Sequence, residues 1–217
     1  YPGVATYGTL YDFDSSVMSQ GETFVSSTNW LTNATYPTQN FYQVFYRRFG
    51  VTPASVDYPN PIAPIPKPPS RATPYYVTGD MTTSGNWVVG DGETIVFLVN
   101  GNLTINGTIT IQGSGFISFI VNGNITVSPT VGGLYTSSTP VLEGIYITSP
   151  TGAFQTGTSS VVGAERFVGK GTFIAGSFLL QRDLESVGHN TDTAAELFLY
   201  NPRLLITMPD AMKEVPV

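Results

Sequence analysis

The sequence contains no cysteine, so neither a disulfide framework nor a thiolate metal site is available, and stability must come from packing and hydrogen bonding. Charge is scarce at 11%, and nine Lys and Arg against fifteen Asp and Glu leave a net charge of −6. With no basic stripe to neutralise phosphates, nucleic-acid binding is excluded. The longest apolar runs fall far short of the roughly 20 residues that cross a bilayer, so no membrane span is expected. The numbering opens on Tyr1 without a signal-like segment; a removed leader and a trimmed chain both look like this.

What the chain has instead is glycine (23 residues) with abundant Thr, Ser, Tyr and Asn, a balance that suits an all-β extracellular protein. Between Val77 and Val131 one pattern recurs. Val77-Thr78-Gly79-Asp80-Met81-Thr82 becomes Val99-Asn100-Gly101-Asn102-Leu103-Thr104 and then Val121-Asn122-Gly123-Asn124-Ile125-Thr126, with an offset of 22 residues both times. The same offset carries Ile95, Phe97 and Val99 onto Ile117, Phe119 and Val121, and Leu103, Ile105 and Ile109 onto Ile125, Val127 and Val131. A fixed period of this size signals stacked units, none of which buries its apolar face alone.

Within a unit, apolar residues alternate at period 2 in three short segments, separated by Asn100-Gly101-Asn102, Asn106-Gly107 and Gln112-Gly113-Ser114-Gly115. Gly and Asn adopt the positive φ that a sharp corner requires. Three strands and three corners per repeat predict an all-β fold, a parallel, right-handed β-solenoid of about five coils rising about 4.8 Å per coil. An antiparallel sandwich also alternates and turns at Asn-Gly, but its hairpins do not demand that one residue recur at one offset. In the solenoid, Thr78, Gly79 and Asp80 stack under Asn100, Gly101 and Asn102, and these under Asn122, Gly123 and Asn124, forming a corner ladder. Alternation places Tyr76, Val96, Leu98 and Ile120 outward, with Tyr146 next, a long apolar stripe that something must cover.

Residues 1–37 read as an extended N-terminal segment. Its first part, Gly3 to Phe13, is suited to donation as a strand to a neighbouring subunit, with Val4, Thr6 and Leu10 or Tyr7, Tyr11 and Phe13 as contacts. Residues 38–50 read as an amphipathic helix, with Phe41, Phe45 and Phe49 four apart, Tyr42 and Tyr46 beside them, and Gly50 as the stop. Residues 51–74, dense in proline, predict an extended strap. The solenoid follows over 75–180. A C-terminal cap over 181–217 has a helix-start signal at Thr191 to Glu196, a segment to Tyr200 that fits helix or strand, and a short apolar closing stretch from Leu204 to Lys213.

Several of these segments carry a family resemblance: Gly92-Glu93-Thr94-Ile95-Val96, Val99 to Thr104, Leu142-Glu143-Gly144-Ile145-Tyr146, Gly171 to Ser177 with Gln181-Arg182-Asp183-Leu184, and Ala195-Glu196-Leu197-Phe198 with Asn201-Pro202-Arg203-Leu204-Leu205. Together they resemble the C-terminal β-solenoid regions of large uncharacterised secreted surface proteins of candidate-phyla (CPR, or Patescibacteria) bacteria. The resemblance spans about Thr38 to Lys213. In that family the segment closes a much longer polypeptide and carries a few further C-terminal residues missing here, which leaves open whether it serves the same assembly. The resemblance implies a secreted β-solenoid and brings no activity.

Chemistry is thinly represented. Parallel β-helix lyases need clustered carboxylates for Ca²⁺ and a base, and hydrolases need paired carboxylates across a groove. The repeats offer Asp80, Asp91, Glu93 and Glu143, one or two per coil, with Asp80 at a corner that Asn102 and Asn124 share. Asp12 and Asp14 begin no calcium loop, and Asp183, Glu185 and Asp192 are scattered. His189, between Gly188 and Asn190, reads as a solvated loop residue, and no Gly-X-Ser-X-Gly elbow accompanies it. Gly113-Ser114-Gly115 precedes a strand rather than a helix, so no cofactor site is expected. Asn33, Asn102, Asn106 and Asn124 lie in sequons, as frequent as chance in so Asn- and Thr-rich a chain.

The sequence therefore predicts a non-enzymatic structural protein of the cell surface, the repeating subunit of a filament or fibre. Its partner would be itself, joined through open sheet edges or a donated N-terminal strand. The alternative is an adhesin or appendage tip binding surface glycans on Tyr135 and Tyr146. A polysaccharide lyase or hydrolase comes third.

Overall fold

Short apolar strands alternating with glycine-bearing corners wind this chain into a parallel β-solenoid. The computed structural model describes residues 39–157, 161–162 (backbone only), 165–184, 188–189 and 191–213. The anticipated N-terminal extended segment falls outside these residues.

The aromatic helix forms as α1, Phe41–Arg48, starting where Asn40 Oδ1 accepts from Gln43 N and stopping before Gly50, whose φ is +61°. Strands follow in chain order: β1 Tyr58–Pro59, β2 Tyr75–Thr78, β3 Met81–Thr82, β4 Trp87–Val89, β5 Thr94–Asn100, β6 Leu103–Ile105, β7 Ile109–Ile111, β8 Phe116–Val121, β9 Ile125–Val127, β10 Leu142–Ile147, β11 Ala153–Gln155, β12 Val161–Val162, β13 Phe167–Ile174, β14 Ser177–Leu179, β15 Arg182–Asp183 and β16 Glu196–Tyr200. Two short helices, α2 Arg203–Thr207 and α3 Asp210–Lys213, close the described chain.

The strands stack on three faces. The first runs β1-β2-β5-β8-β10-β13-β16, the second β3-β6-β9-β11-β14, and the third holds the pairs β4-β7 and β12-β15. All named pairs are parallel, and β5 on β8 keeps the 22-residue register throughout, Ile95 on Ile117, Phe97 on Phe119 and Val99 on Val121. An aromatic column runs up the core: Tyr75, Phe97, Phe119, Tyr146 and Phe173 lie 5.2, 5.1, 5.6 and 5.3 Å apart in succession. Identical parallel register puts like side chains one above another, and offset aromatic pairs add about 0.5–1.5 kcal/mol each beyond their buried area.

The third coil breaks the period. After Val131 the chain loops out and returns at Val141, so no third-face strand sits above β7; the start of β10 fills the place, Leu142 pairing with Ile109 and Glu143 Oε2 accepting from Ile111 N at 2.8 Å. Arg182 ties this excursion down. Its guanidinium donates to the carbonyls of Ser128, Pro129, Val131, Thr156 and Glu165 and is itself buried. Desolvation lowers its pKa from the ordinary arginine value.

The Pro-rich segment is more than a strap laid along the molecule, because it supplies the first rung. β1 pairs with β2, Ile65 bridges to Thr83, and Asp57 N, Asn60 N, Ile65 N and Arg71 N donate to carbonyls of the coils beyond. The C-terminal stretch takes one of its two expected forms. Glu196–Tyr200 is a strand, and α2 and α3 fold onto the outer side of the first face instead of covering the end of the solenoid.

Candidate assembly interface

The corner ladder forms as its spacing requires. Asp80 Oδ1 accepts from Asn102 N at 2.8 Å and Asn102 Nδ2 at 3.1 Å, Asn102 Oδ1 accepts from Asn124 N at 2.9 Å, and Asn124 Oδ1 accepts from Ala153 N at 2.8 Å. Beside it, Asn122 Nδ2 donates to Asn100 Oδ1 at 3.0 Å, while Thr78 pairs with Asn100. The reason for glycine differs from the one read in the sequence. Gly79 has φ of +84°, but Gly101 and Gly123 keep negative φ. They are glycine because a Cβ on Gly101 would lie 2.8 Å from Asp80 N and closer still to the Gly79 carbonyl, and one on Gly123 only 2.6 Å from Gly101 O. Gly152 and Gly176 continue this column of close backbone approach. The sequence signal for them was present, a glycine after each first-face strand, but hidden by the changed spacing.

The outer stripe is covered. Tyr76, Val96, Leu98 and Ile120 are buried with Tyr42 and Phe45 of α1, Leu204 of α2 and Met212 of α3. Burial pushes the Tyr42 phenol well above its usual pKa. Tyr146 does not belong to the stripe. It faces the core, fully buried, its hydroxyl donating to Glu143 O at 2.9 Å, and Ile145 and Ile147 take the outward positions.

That placement also removes Tyr146 as a glycan platform. Tyr135 is half-buried, with one ring face covered by His189 at 3.7 Å between centroids. His189 is accordingly no free loop residue: its Nδ1 lies 3.1 Å from both oxygens of Asp192, whose pKa is lowered first by that contact and then by Thr193. The candidate carboxylates are structural in the same way. Asp91 Oδ1 accepts from Ser114 N and Oγ, which lowers its pKa; Glu93 meets Lys67 at 2.7 Å and accepts from Gly90 N, with the same effect; and Glu143 pairs with Lys170 at 3.1 Å. Asp57 is raised by burial but lowered more by the Arg71 fork and Tyr76 N. Among the described residues, no three acidic, His or Cys side chains come together and no helix is long and apolar enough to cross a membrane.

What remains as a site is the contrast between the two ends. At the N-terminal end the N–H groups of Asp57, Asn60, Ile65 and Arg71 are spent on the first coils, and Pro59, Pro61, Pro64, Pro66, Pro68 and Pro69 have none to offer an incoming strand. Ile65 and Tyr75 beneath are 3% and 5% exposed. At the C-terminal end β14 and β16 are the last strands of their sheets among the described residues, and alternate backbone groups of each face away from the strand they pair with. Here the core surfaces. Phe178 is 44% exposed, Phe198 38%, Leu180 56% and Tyr200 66%. With Phe173 they line a cleft of about 460 Å³. The anticipated contacts Val4, Thr6, Tyr7, Leu10, Tyr11 and Phe13 lie outside the described residues.

Over the described residues the fold is a parallel β-solenoid with a Pro-rich rung at one end and exposed apolar side chains at the other. Compared with known protein families, curated proteins and solved structures, the chain matches none.

Proposed function

We propose that this chain is a non-enzymatic structural protein of the cell surface, the repeating subunit of a filament or fibre, joined through its C-terminal solenoid end. The observation that carries the reading is the asymmetry of the ends: one laid over by a Pro-rich rung, the other ending in strands with no further neighbour among the described residues and with Phe178, Leu180, Phe198 and Tyr200 exposed. Low charge, a Thr-rich composition and the resemblance to secreted surface proteins of candidate-phyla bacteria support the same reading, as does the structural engagement of Asp80, Asp91, Glu93 and Glu143. Strapping also disfavours direct stacking of one copy's N-terminal edge on the next copy's C-terminal edge. The test is negative-stain microscopy of the purified chain across rising concentration. Fibres of uniform width are expected; particles that stay monomeric at high concentration contradict the proposal.

A further inference from the structure

We propose that the open end is an acceptor groove for residues 4–13 of a second copy, which add as a strand along β16 and insert Tyr7, Tyr11 and Phe13 into the cleft lined by Phe173, Phe178, Phe198 and Tyr200. This rests on the filament reading and names the contact through which it works.

The groove specifies its occupant in three ways. First, β16 pairs with β13 over its whole length, Glu196 on Phe167 through Tyr200 on Gly171, and its other edge carries no strand among the described residues, so the occupant must be extended. Second, the aromatic column does not end in an aliphatic lid. Phe173 meets Phe198 at 5.1 Å and 78°, and Phe178 and Phe198 stand 6.1 Å apart at 81°, leaving exposed ring surface. A strand with aromatic residues at alternate positions continues that column. Third, the groove-lining residues carry no charge, so a charged donor face has no counterpart in it.

Within this chain, the 38 residues preceding Gln39 contain a segment with that chemistry. Tyr7, Thr9, Tyr11 and Phe13 fall on one side of an extended strand, no Lys or Arg occurs up to Phe13, and the other side carries Val4, Thr6, Gly8, Leu10 and Asp12. The strapped end of a second copy is a poor substitute, because six prolines of its rung carry no N–H to donate. Reach is sufficient. The 25 residue steps from Asp14 to Gln39 can cover up to about 80 Å, and seven first-face strands rise about 29 Å at 4.8 Å per step. A donor anchored at α1, which packs over β5 and β8, therefore reaches the open end of an axially neighbouring copy.

The absence of cysteine makes the test direct. Thr6→Cys is made in one preparation of the full chain and Leu199→Cys in another; Leu199 borders the cleft on β16, and Thr6 alternates with the aromatic positions of the donor segment. The two are mixed and treated with a short bis-maleimide. A covalent heterodimer is expected, and its yield falls about tenfold or more when the Leu199→Cys chain also carries Phe178→Asp and Tyr200→Asp. In parallel, deleting residues 1–13 should abolish fibres while leaving the thermal transition in place, and the 1–13 peptide should bind the deleted chain one to one. Fibres that persist after the deletion overturn the donated strand but spare the filament reading. A monomer in which Thr6→Cys and Leu199→Cys of the same chain cross-link overturns it in favour of self-capping. Peptide that fails to bind the deleted chain overturns it even if no fibres ever form.

Discussion

Replacing Gly101 with alanine adds one methyl group to an exposed-looking corner, and the structure makes that methyl expensive. The added Cβ would stand 2.8 Å from Asp80 N and nearer still to the Gly79 carbonyl carbon and oxygen, where ordinary contact needs well over 3 Å. Neither partner can step aside. Gly79 N donates to Asn100 O at 3.0 Å and Met81 N to Asn102 O at 2.8 Å, so the two coils are pinned immediately on both sides of the clash. Relief demands a shift of about 1 Å, which lengthens both hydrogen bonds and the Asp80 to Asn102 contacts. Overpacking strain of about 1–3 kcal/mol and weakened hydrogen bonds at roughly 1 kcal/mol each give a loss of about 2–4 kcal/mol. For a chain of this size, that lowers the thermal midpoint by roughly 5–15 °C. Gly92→Ala is the control: its φ is +73° but nothing lies within 4 Å of the new Cβ, so it isolates backbone strain of about 1 kcal/mol. Circular dichroism melts of the two variants decide between causes. Gly101→Ala no more destabilising than Gly92→Ala refutes the argument that coil spacing, rather than φ, requires glycine there.

Arg182→Lys should destabilise the protein by about 3 kcal/mol or more in urea titration, because three ammonium donors cannot serve the carbonyls of five residues around a buried guanidinium. Stability should fall on acidification. Asp57, Asp91 and Glu93 have folded pKa values below their unfolded ones, so their contribution is complete above the unfolded carboxylate pKa of about 4 and is lost as pH drops through the folded values. Asp57→Asn should flatten that dependence in melts taken between pH 5 and 2; a variant with the parent's slope contradicts the assignment. Phe45→Ala should expose the stripe of Leu98 and Ile120 and cost about 3 kcal/mol, read as loss of α1 protection in hydrogen exchange.

The solenoid was legible because a constant offset survives in sequence wherever coils are of equal length, and β2, β5 and β8 with β3, β6 and β9 are stacked in that register. Legibility ended at the third coil. The excursion after Val131 shifts the first face to a spacing of 27, Phe119 onto Tyr146, and the second to 29, Ile125 onto Phe154. An odd spacing between strands changes which sequence positions face inward, so matching Tyr146 to Ile120 put it on the wrong side. Side-chain polarity could not correct this, since every residue of β10 is buried, one face by the core and the other by the helices. The strap's role was hidden for another reason. Prolines signal extension but not pairing, and the attachments come from residues scattered between them: Asp57, Asn60, Ile65 and Arg71 through their N–H groups, and Lys67 and Ser70 through their side chains. The open end was the least legible part. Glu196 to Tyr200 fits helix or strand locally, and its exposure follows from α2 and α3 folding aside, which no short-range pattern records.

The most direct measurement compares the sedimentation of the full chain with that of a variant carrying Phe178→Asp and Tyr200→Asp, positions 44% and 66% exposed; Phe178 also meets the buried Phe154, so a melting curve checks that the variant is folded. If assembly runs through the open end, the parent forms species that grow with concentration and appear as uniform fibres, while the variant stays monomeric with an unchanged melting transition. Equal assembly of both chains, or a parent that remains monomeric throughout, contradicts the account.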